Sequence, residues 1–322
     1  MYCDSHPEKG GLVTMNRYKV IVNPISGRGN GEQSIPLIKN LLEQHGLSYD
    51  LVRTERPGHA MELAQQAAVD DYDVVVAAGG DGTANEVLNG LMQAKQAGAD
   101  AAMGVLCVGR GNDFAFGANI PPTLEAGCDA LAADHRRLID VGWVEGGLVP
   151  QGRYFGNGVG IGFDAVVGFE ALKLKRLSGF PSYIVAALKT IFLYYHAPLL
   201  RIAYDDHELT QPSLMVSVMN GRRMGGGFMM APDSSPDDGL FDLCLAAHVS
   251  RARIFPLILR FMQGTQATHS AITTGRAEHV TVTAVEGVLP AHADGETVSV
   301  ESRELTMRIL SRQLAVVCTE VG

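Results

Sequence analysis

From residue 17 to about 140, short β-branched apolar runs alternate with longer segments whose apolar residues recur every three or four positions. Runs 18–22, 48–53, 73–78 and 103–108 read as strands, and segments 32–45, 58–69, 84–97 and 123–133 as helices. Alternation of this kind predicts a parallel sheet covered on both faces. From about 141 the period changes. Short strands are expected at 153–159, 199–205, 213–219, 240–246, 278–285, 297–300 and 305–310, separated by Gly, Asp and Pro turns. One helical stretch, roughly 164–195, interrupts them. The pattern predicts a Rossmann-like α/β domain over 15–140 and an all-β, sandwich-like domain over 141–310. Residues 311–322 are expected to return to the first domain. Residues 1–14 are polar and unpatterned and read as a disordered extension.

Composition narrows the function. The chain has 322 residues, 46% hydrophobic, enough for two cores. A net charge of −9 argues against nucleic acid as a partner. Five scattered cysteines with no C-x-x-C pair indicate neither a zinc site nor a disulfide framework, which fits a reducing cytoplasm. The longest apolar stretch, around 183–200, is broken by Lys189, His196 and Pro198, so no membrane span is expected.

The most informative junction is Gly79-Gly80-Asp81-Gly82-Thr83, where a buried strand passes into a helix opening at Asn85-Glu86. Glycines let the backbone approach a ligand, and the free N–H groups of a helix start favour phosphate. A carboxylate beside phosphates repels them unless a metal lies between, or unless it holds a ribose hydroxyl. A nucleotide with Mg²⁺ satisfies both, although a tight turn capped by Asp or Thr would use the same residues. Asn23-Pro24-Ile25-Ser26-Gly27 and Gly109-Arg110-Gly111-Asn112-Asp113 follow two other strands, so all three loops are expected on one sheet edge. No Walker loop occurs. A relaxed dinucleotide fingerprint at 160–165 lies outside the alternating part and reads as a close-packed turn.

Two acidic clusters stand in the second part. Residues 233–240 place Asp233, Asp237 and Asp238 before a strand, as a hard-cation loop or as a solvated turn. Asp294-Gly295-Glu296 reads as a hairpin turn or as a carboxylate pair for metal or proton chemistry.

Together these segments resemble the diacylglycerol kinase catalytic-domain family of lipid kinases, relatives of sphingosine and ceramide kinases, over almost the whole chain. The motifs fall in family order: Asn23-Pro24 with Ser26-Gly27; Gly79 to Thr83 with Asn85-Glu86; Gly111-Asn112-Asp113; Asp140-Val141-Gly142; Asn157-Gly158 with Gly160 to Asp164; Asp237 to Leu240; and Asp294-Gly295-Glu296. The resemblance implies an ATP- and Mg²⁺-dependent kinase phosphorylating the hydroxyl of diacylglycerol or a similar lipid. It implies the N-terminal fold of NAD kinases and diacylglycerol kinases. ATP contacts would come from Asn23, Pro24, Ser26, Gly27, Thr54, Gly79 to Thr83, Asn85, Glu86 and Gly109 to Asp113. Asp81 would organise Mg²⁺ within a network that includes Asp113 and Asp140. Glu296, supported by Asp294, would be the general base. Asp238, with the carbonyls of Ser235 and Leu240, would hold a second, structural Mg²⁺. Arg110 stands where the family often has Thr or Ser.

A lipid substrate implies contact with a membrane surface, and a homodimer is compatible with the sequence. Residues 171–201 carry Lys173, Lys175, Arg176, Lys189 and Arg201 with no acid, interleaved with Leu, Ile, Phe and Tyr. That composition suits a segment on an anionic surface, or a helix docked on the sandwich with a solvated basic face. Two other classes share parts of the pattern: an NAD kinase-like phosphotransferase, and a non-catalytic lipid-binding regulator.

Overall fold

The computed structural model describes residues 16–172, 180–193 and 196–320. The extension at 1–14 and the basic cluster Lys173, Lys175 and Arg176 lie outside the described residues.

The N-terminal half runs β1 (Arg17–Val22), α1 (Ser26–Gln44), β2 (Ser48–Arg53), α2 (His59–Val69), β3 (Val74–Gly79), α3 (Asp81–Gln96), β4 (Ala102–Cys107), α4 (Asp113–Gly117) and α5 (Leu124–Ala133). The strands are parallel in the order β2-β1-β3-β4. Alternate residues of the central strands serve two separate cores. Ile21, Val75, Ala77 and Met103 pack against α2 and α3, whereas Val20, Val76, Ala78 and Leu106 pack against α1 and α5. Burial on both faces is why these strands read as continuous apolar runs.

The rest runs β5 (Arg136–Gly146), β6 (Val149–Phe155), β7 (Gly158–Gly162), α6 (Phe163–Leu172), α7 (Phe180–Leu193), β8 (Leu199–Tyr204), β9 (His207–Met219), β10 (Phe241–Ala247), α8 (Arg251–Gln263), β11 (Ile272–Ala277), β12 (His279–Ala284), β13 (Leu289–Ala293), β14 (Glu296–Ser302) and β15 (Glu304–Val317). The first half of β9 pairs with β8 and its second half with β7 and β10, so one long strand passes from one sheet layer to the other. Between the layers lies a core of Phe155, Ile161, Val216, Phe241, Val282 and Met307, with the Phe155 and Phe241 rings stacked 5.5 Å apart. β15 pairs with β12 and β5 and then meets β4 of the α/β sheet in parallel, at Val316 and Met103.

Several boundaries differ from the sequence pattern. The strand expected over 153–159 breaks at Gly156 and Asn157, because their N–H groups turn onto the Asp294 carboxylate. α8 was not expected: Pro256 inside it removes a helical donor, and its amphipathic pattern carries the helix across that break. α1 is helical only beyond Gly29, since Gly27, Arg28 and Gly29 have φ of 59°, 66° and 93°.

Candidate active site

The loops after β1, β3 and β4 meet at the carboxyl edge of the parallel sheet. Asn23 Nδ2 donates to Thr83 Oγ1 at 3.0 Å, joining the first loop to the second. The Gly109 N–H donates to the Gly79 carbonyl at 3.0 Å, joining the third. Contact between the loops is close enough that glycine is needed. A Cβ on Gly109 would sit 2.4 Å from Gly80 Cα, and one on Gly27 would sit 2.6 Å from the Val108 carbonyl, where φ is also positive. Ser26 lies beside Gly80. Pro24 adjoins the Asn23 turn, whose side-chain oxygen accepts the Ile25 N–H. Thr54, just past β2, donates its N–H to Val22 at the foot of the first loop. Arg110 is exposed at the crown of the third loop.

Asp81 and Asp113 form the acidic centre. Asp81 Oδ1 accepts the N–H groups of Asp113 (2.6 Å) and Phe114 (3.1 Å). Asp113 Oδ1 accepts from Arg223 Nε at 2.9 Å, and both its oxygens face the Gly226 N–H. Burial pushes Asp113 up to about 7, the Asp81 charge adds to this, and Gly226 and Arg223 oppose it. Burial also raises Asp81 against the pull of its two N–H donors. A Cβ on Gly111 would lie 2.7 Å from Asp81 Oδ2 and 3.8 Å from Asp113 Oδ2, so the absent side chain leaves a space walled by two carboxylates. Among the described residues no three acidic, His or Cys side chains converge to hold a metal alone. Two carboxylate oxygens beside a glycine loop could hold a hard cation such as Mg²⁺, whose further ligands would have to come from elsewhere.

Asp294 and Gly295 make a two-residue hairpin turn between β13 and β14, with φ of 49° and 86°. The hairpin reading of this segment therefore holds. Asp294 Oδ1 accepts the N–H groups of Asn157 and Gly158, each at 2.9 Å. Oδ2 accepts Gly156 N–H at 2.7 Å and Asn85 Nδ2 at 3.0 Å. Glu296 by contrast is exposed, and its Oε1 lies 3.3 Å from where a Cβ on Gly82 would be, across the interdomain crevice. Asn85 is buried between Asp294, Tyr154 and the Arg153 guanidinium. Glu86 accepts the Gly58 and Ala60 N–H groups at the start of α2. In this structure these two side chains join elements rather than face the loops.

Asp140 lies with the 233–240 loop, away from the partners of Asp81. Its oxygens accept the N–H groups of Gly239 (2.6 Å) and Arg312 (2.7 Å), and burial raises it above the usual carboxylate range. Asp238 pairs with Arg276 and accepts the Leu240 N–H. Asp237 pairs with Arg137 and accepts from the Ser235 hydroxyl, and those hydrogen bonds, Arg137 first, lower it. The mutual repulsion of this loop is thus answered by two arginines.

A deep pocket opens onto the acidic centre. Phe163, Val167, Tyr183, Met215, Phe228 and Leu257 are among its apolar walls, and Asp81, Asp113 and Asp294 also line it. Its interior is ≈140 Å³. Arg223 and His292 at this site were missed from the sequence, and Asp164 entered only as the end of a motif with no role. Arg223 clamps the sandwich to the third loop, bonding Asp113 and the Gly111 carbonyl with its guanidinium 3.9 Å over Phe116. The Asn220-Gly221-Arg222-Arg223 run among glycines was its only signal. Asp164 and His292 meet at 3.1 Å in the pocket wall, and His292 Nδ1 accepts the Gly295 N–H. Burial lowers His292, and the Asp164 charge and hydrogen bond outweigh this to leave it raised.

Comparison with known proteins places the chain in a family. Residues 17–144 match the diacylglycerol kinase catalytic domain, and 157–318 match the YegS C-terminal NAD kinase beta sandwich-like domain. A diacylglycerol kinase of Bacillus subtilis is 31% identical over 290 residues, 88% of this chain and 90% of that one. A solved diacylglycerol kinase from Bacillus anthracis superposes with a TM-score of 0.71 at 18% identity, covering 95% of this chain and 98% of that chain. An NAD kinase from Archaeoglobus fulgidus, solved with ATP, superposes at 0.53 and 14% identity, covering 94% of each. The fold is that of a kinase with an α/β domain and a β-sandwich domain. The chain belongs to the diacylglycerol kinase family.

Proposed function

We propose that this protein transfers the γ-phosphoryl group of ATP, with Mg²⁺, to the hydroxyl of diacylglycerol or a similar lipid alcohol. The observation that carries the reading is a mostly apolar pocket that has Asp81, Asp113 and Asp294 in its lining. A lipid hydroxyl enters such a pocket with its acyl end against the walls, whereas a polar dinucleotide gains nothing from Met215, Phe228 and Leu257. The three glycine loops present N–H groups to the nucleotide phosphates. Asp81 and Asp113 would hold the divalent cation, which would supply neutralisation of the charge on the transferring group. Glu296 takes the acceptor proton as the new O–P bond forms and the bond to the β-phosphate oxygen breaks. Asp294 holds Glu296 in place through the hairpin and the 156–158 backbone.

Gly111→Ala tests this directly. Its methyl would occupy the space between the two carboxylates. ATP–Mg²⁺ binding by calorimetry and transfer of labelled phosphate to diacylglycerol should both fall, with the melting temperature little changed. Wild-type protein that converts NAD to NADP and phosphorylates no lipid would overturn the proposal.

A further inference from the structure

α8 has two faces, and only one of them is covered. Ile254, Leu257 and Phe261 are buried, and with Ile258 they line the pocket roof. On the opposite side Phe255, Leu259 and Met262, spaced i, i+4 and i+7, are 40%, 57% and 39% exposed. Three large apolar side chains on one stripe form a patch of the kind that marks an interaction surface. Arg251, Arg253 and Arg260 flank them, and the helix contains no acid, in a chain of net charge −9. α7 packs beside it and adds Val185, also 40% exposed. At 13 residues α8 is about 20 Å long, too short to cross a bilayer but suited to lie in its surface.

We infer that α8 docks this protein on an anionic membrane, with Leu259 and Met262 in the acyl boundary and the arginines among the headgroups. This rests on the proposal that the acceptor is a lipid. Pocket size supplies the second argument. An interior of ≈140 Å³ is about that of a cavity that admits benzene. It accommodates the reacting end of a lipid and little of its acyl chains, so those chains stay in the bilayer during transfer. The roof of the pocket must then touch the bilayer, and α8 is both roof and exposed apolar face. A surface combining apolar stripe and positive charge fits an anionic bilayer better than a neutral protein groove.

The test is co-sedimentation with phosphatidylcholine vesicles, with and without phosphatidylglycerol, for the whole protein and for Leu259→Gln/Met262→Gln. Both positions are exposed and outside the pocket, so melting temperature and turnover of a water-soluble short-chain diacylglycerol should be unchanged. Partitioning onto the anionic vesicles should fall at least about tenfold. Arg251→Gln/Arg253→Gln should reduce the preference for anionic over neutral vesicles. A double Gln variant that sediments like wild type overturns the inference, as does a wild type indifferent to phosphatidylglycerol. If the short-chain substrate is phosphorylated while no vesicle is bound, the docking surface falls and the lipid acceptor stands. If vesicles are bound through α8 but no lipid is phosphorylated, the acceptor assignment falls and the docking surface stands.

Discussion

Two carboxylates in one hairpin should respond to amide substitution in opposite ways. Asp294 accepts four hydrogen bonds, three from backbone N–H groups and one from Asn85. In Asp294→Asn one acceptor oxygen remains and an NH₂ group is turned toward two donors. Hydrogen bonds to a charged group contribute about 1.5–3 kcal/mol each, so losing two costs about 3–6 kcal/mol. That is a large share of the ~5–15 kcal/mol by which a folded protein is stable. At roughly 2–4 °C per kcal/mol, the melting temperature should fall by on the order of 10 °C. Glu296 is exposed, so Glu296→Gln should melt within about 0.5 kcal/mol of wild type. Its turnover should nevertheless fall by roughly 10²–10⁴. Calorimetric melting and labelled-phosphate transfer on the two variants decide the matter. An Asp294→Asn protein that melts with wild type refutes the anchoring argument. Undiminished turnover in Glu296→Gln moves the base elsewhere, with Asp294 or Asp81 next to be tested.

Three further outcomes are expected. Arg223→Ala leaves the buried Asp113 without its cation and should cost about 3 kcal/mol in urea unfolding, with Lys restoring only part because it lacks the fork; equal stability would mean the clamp does not form in solution. Asp237 is lowered in the folded state by Arg137, so its contribution is present above the unfolded carboxylate value of about 4 and is lost as pH falls below it through the lower folded value. Unfolding free energy should therefore drop less steeply on acidification in Asp237→Asn than in wild type, and parallel curves would refute the pairing. With Arg137 and Arg276 neutralising the 233–240 loop, the nucleotide-free melting temperature should move by less than about 1 °C between chelator and millimolar Mg²⁺, whereas a cation seated on Asp238 would raise it by mass action.

The carboxyl edge of the parallel sheet was legible because parallel strands buried on both faces spell themselves as apolar runs, and glycines mark their ends. Gly79 to Thr83 and Gly109 to Asp113 needed only that local signal. What could not be read is what depends on distant partners. Asn85 and Glu86 stand at the helix start among the expected ATP contacts, yet their side chains are taken by Asp294 and by the start of α2. The resemblance groups Asp140 with Asp113 around one cation, but Asp140 lies inside β5 and its donors come from Gly239 and Arg312. The three-carboxylate turn suggested a cation because Arg137 and Arg276 lie about a hundred and about forty residues away in the chain. α8 escaped notice because Pro256 sits within it, and Arg223 because its role exists only when the domains meet.

The reach of β15 bears on how the chain is made. Val316 takes its place beside Met103, a neighbour synthesised about 210 residues earlier, and Leu314, Val316 and Cys318 belong to the same core as β3 and α3. A nascent α/β domain emerging from the ribosome therefore has the flank of β4 uncovered until nearly all of this sequence has followed. Pairings so remote in sequence form slowly, and an open strand edge invites association with other chains while it waits. Fragments ending near residue 144 should accordingly be aggregation-prone even though they contain every glycine loop. Chaperone dependence during synthesis would trace to this one late strand.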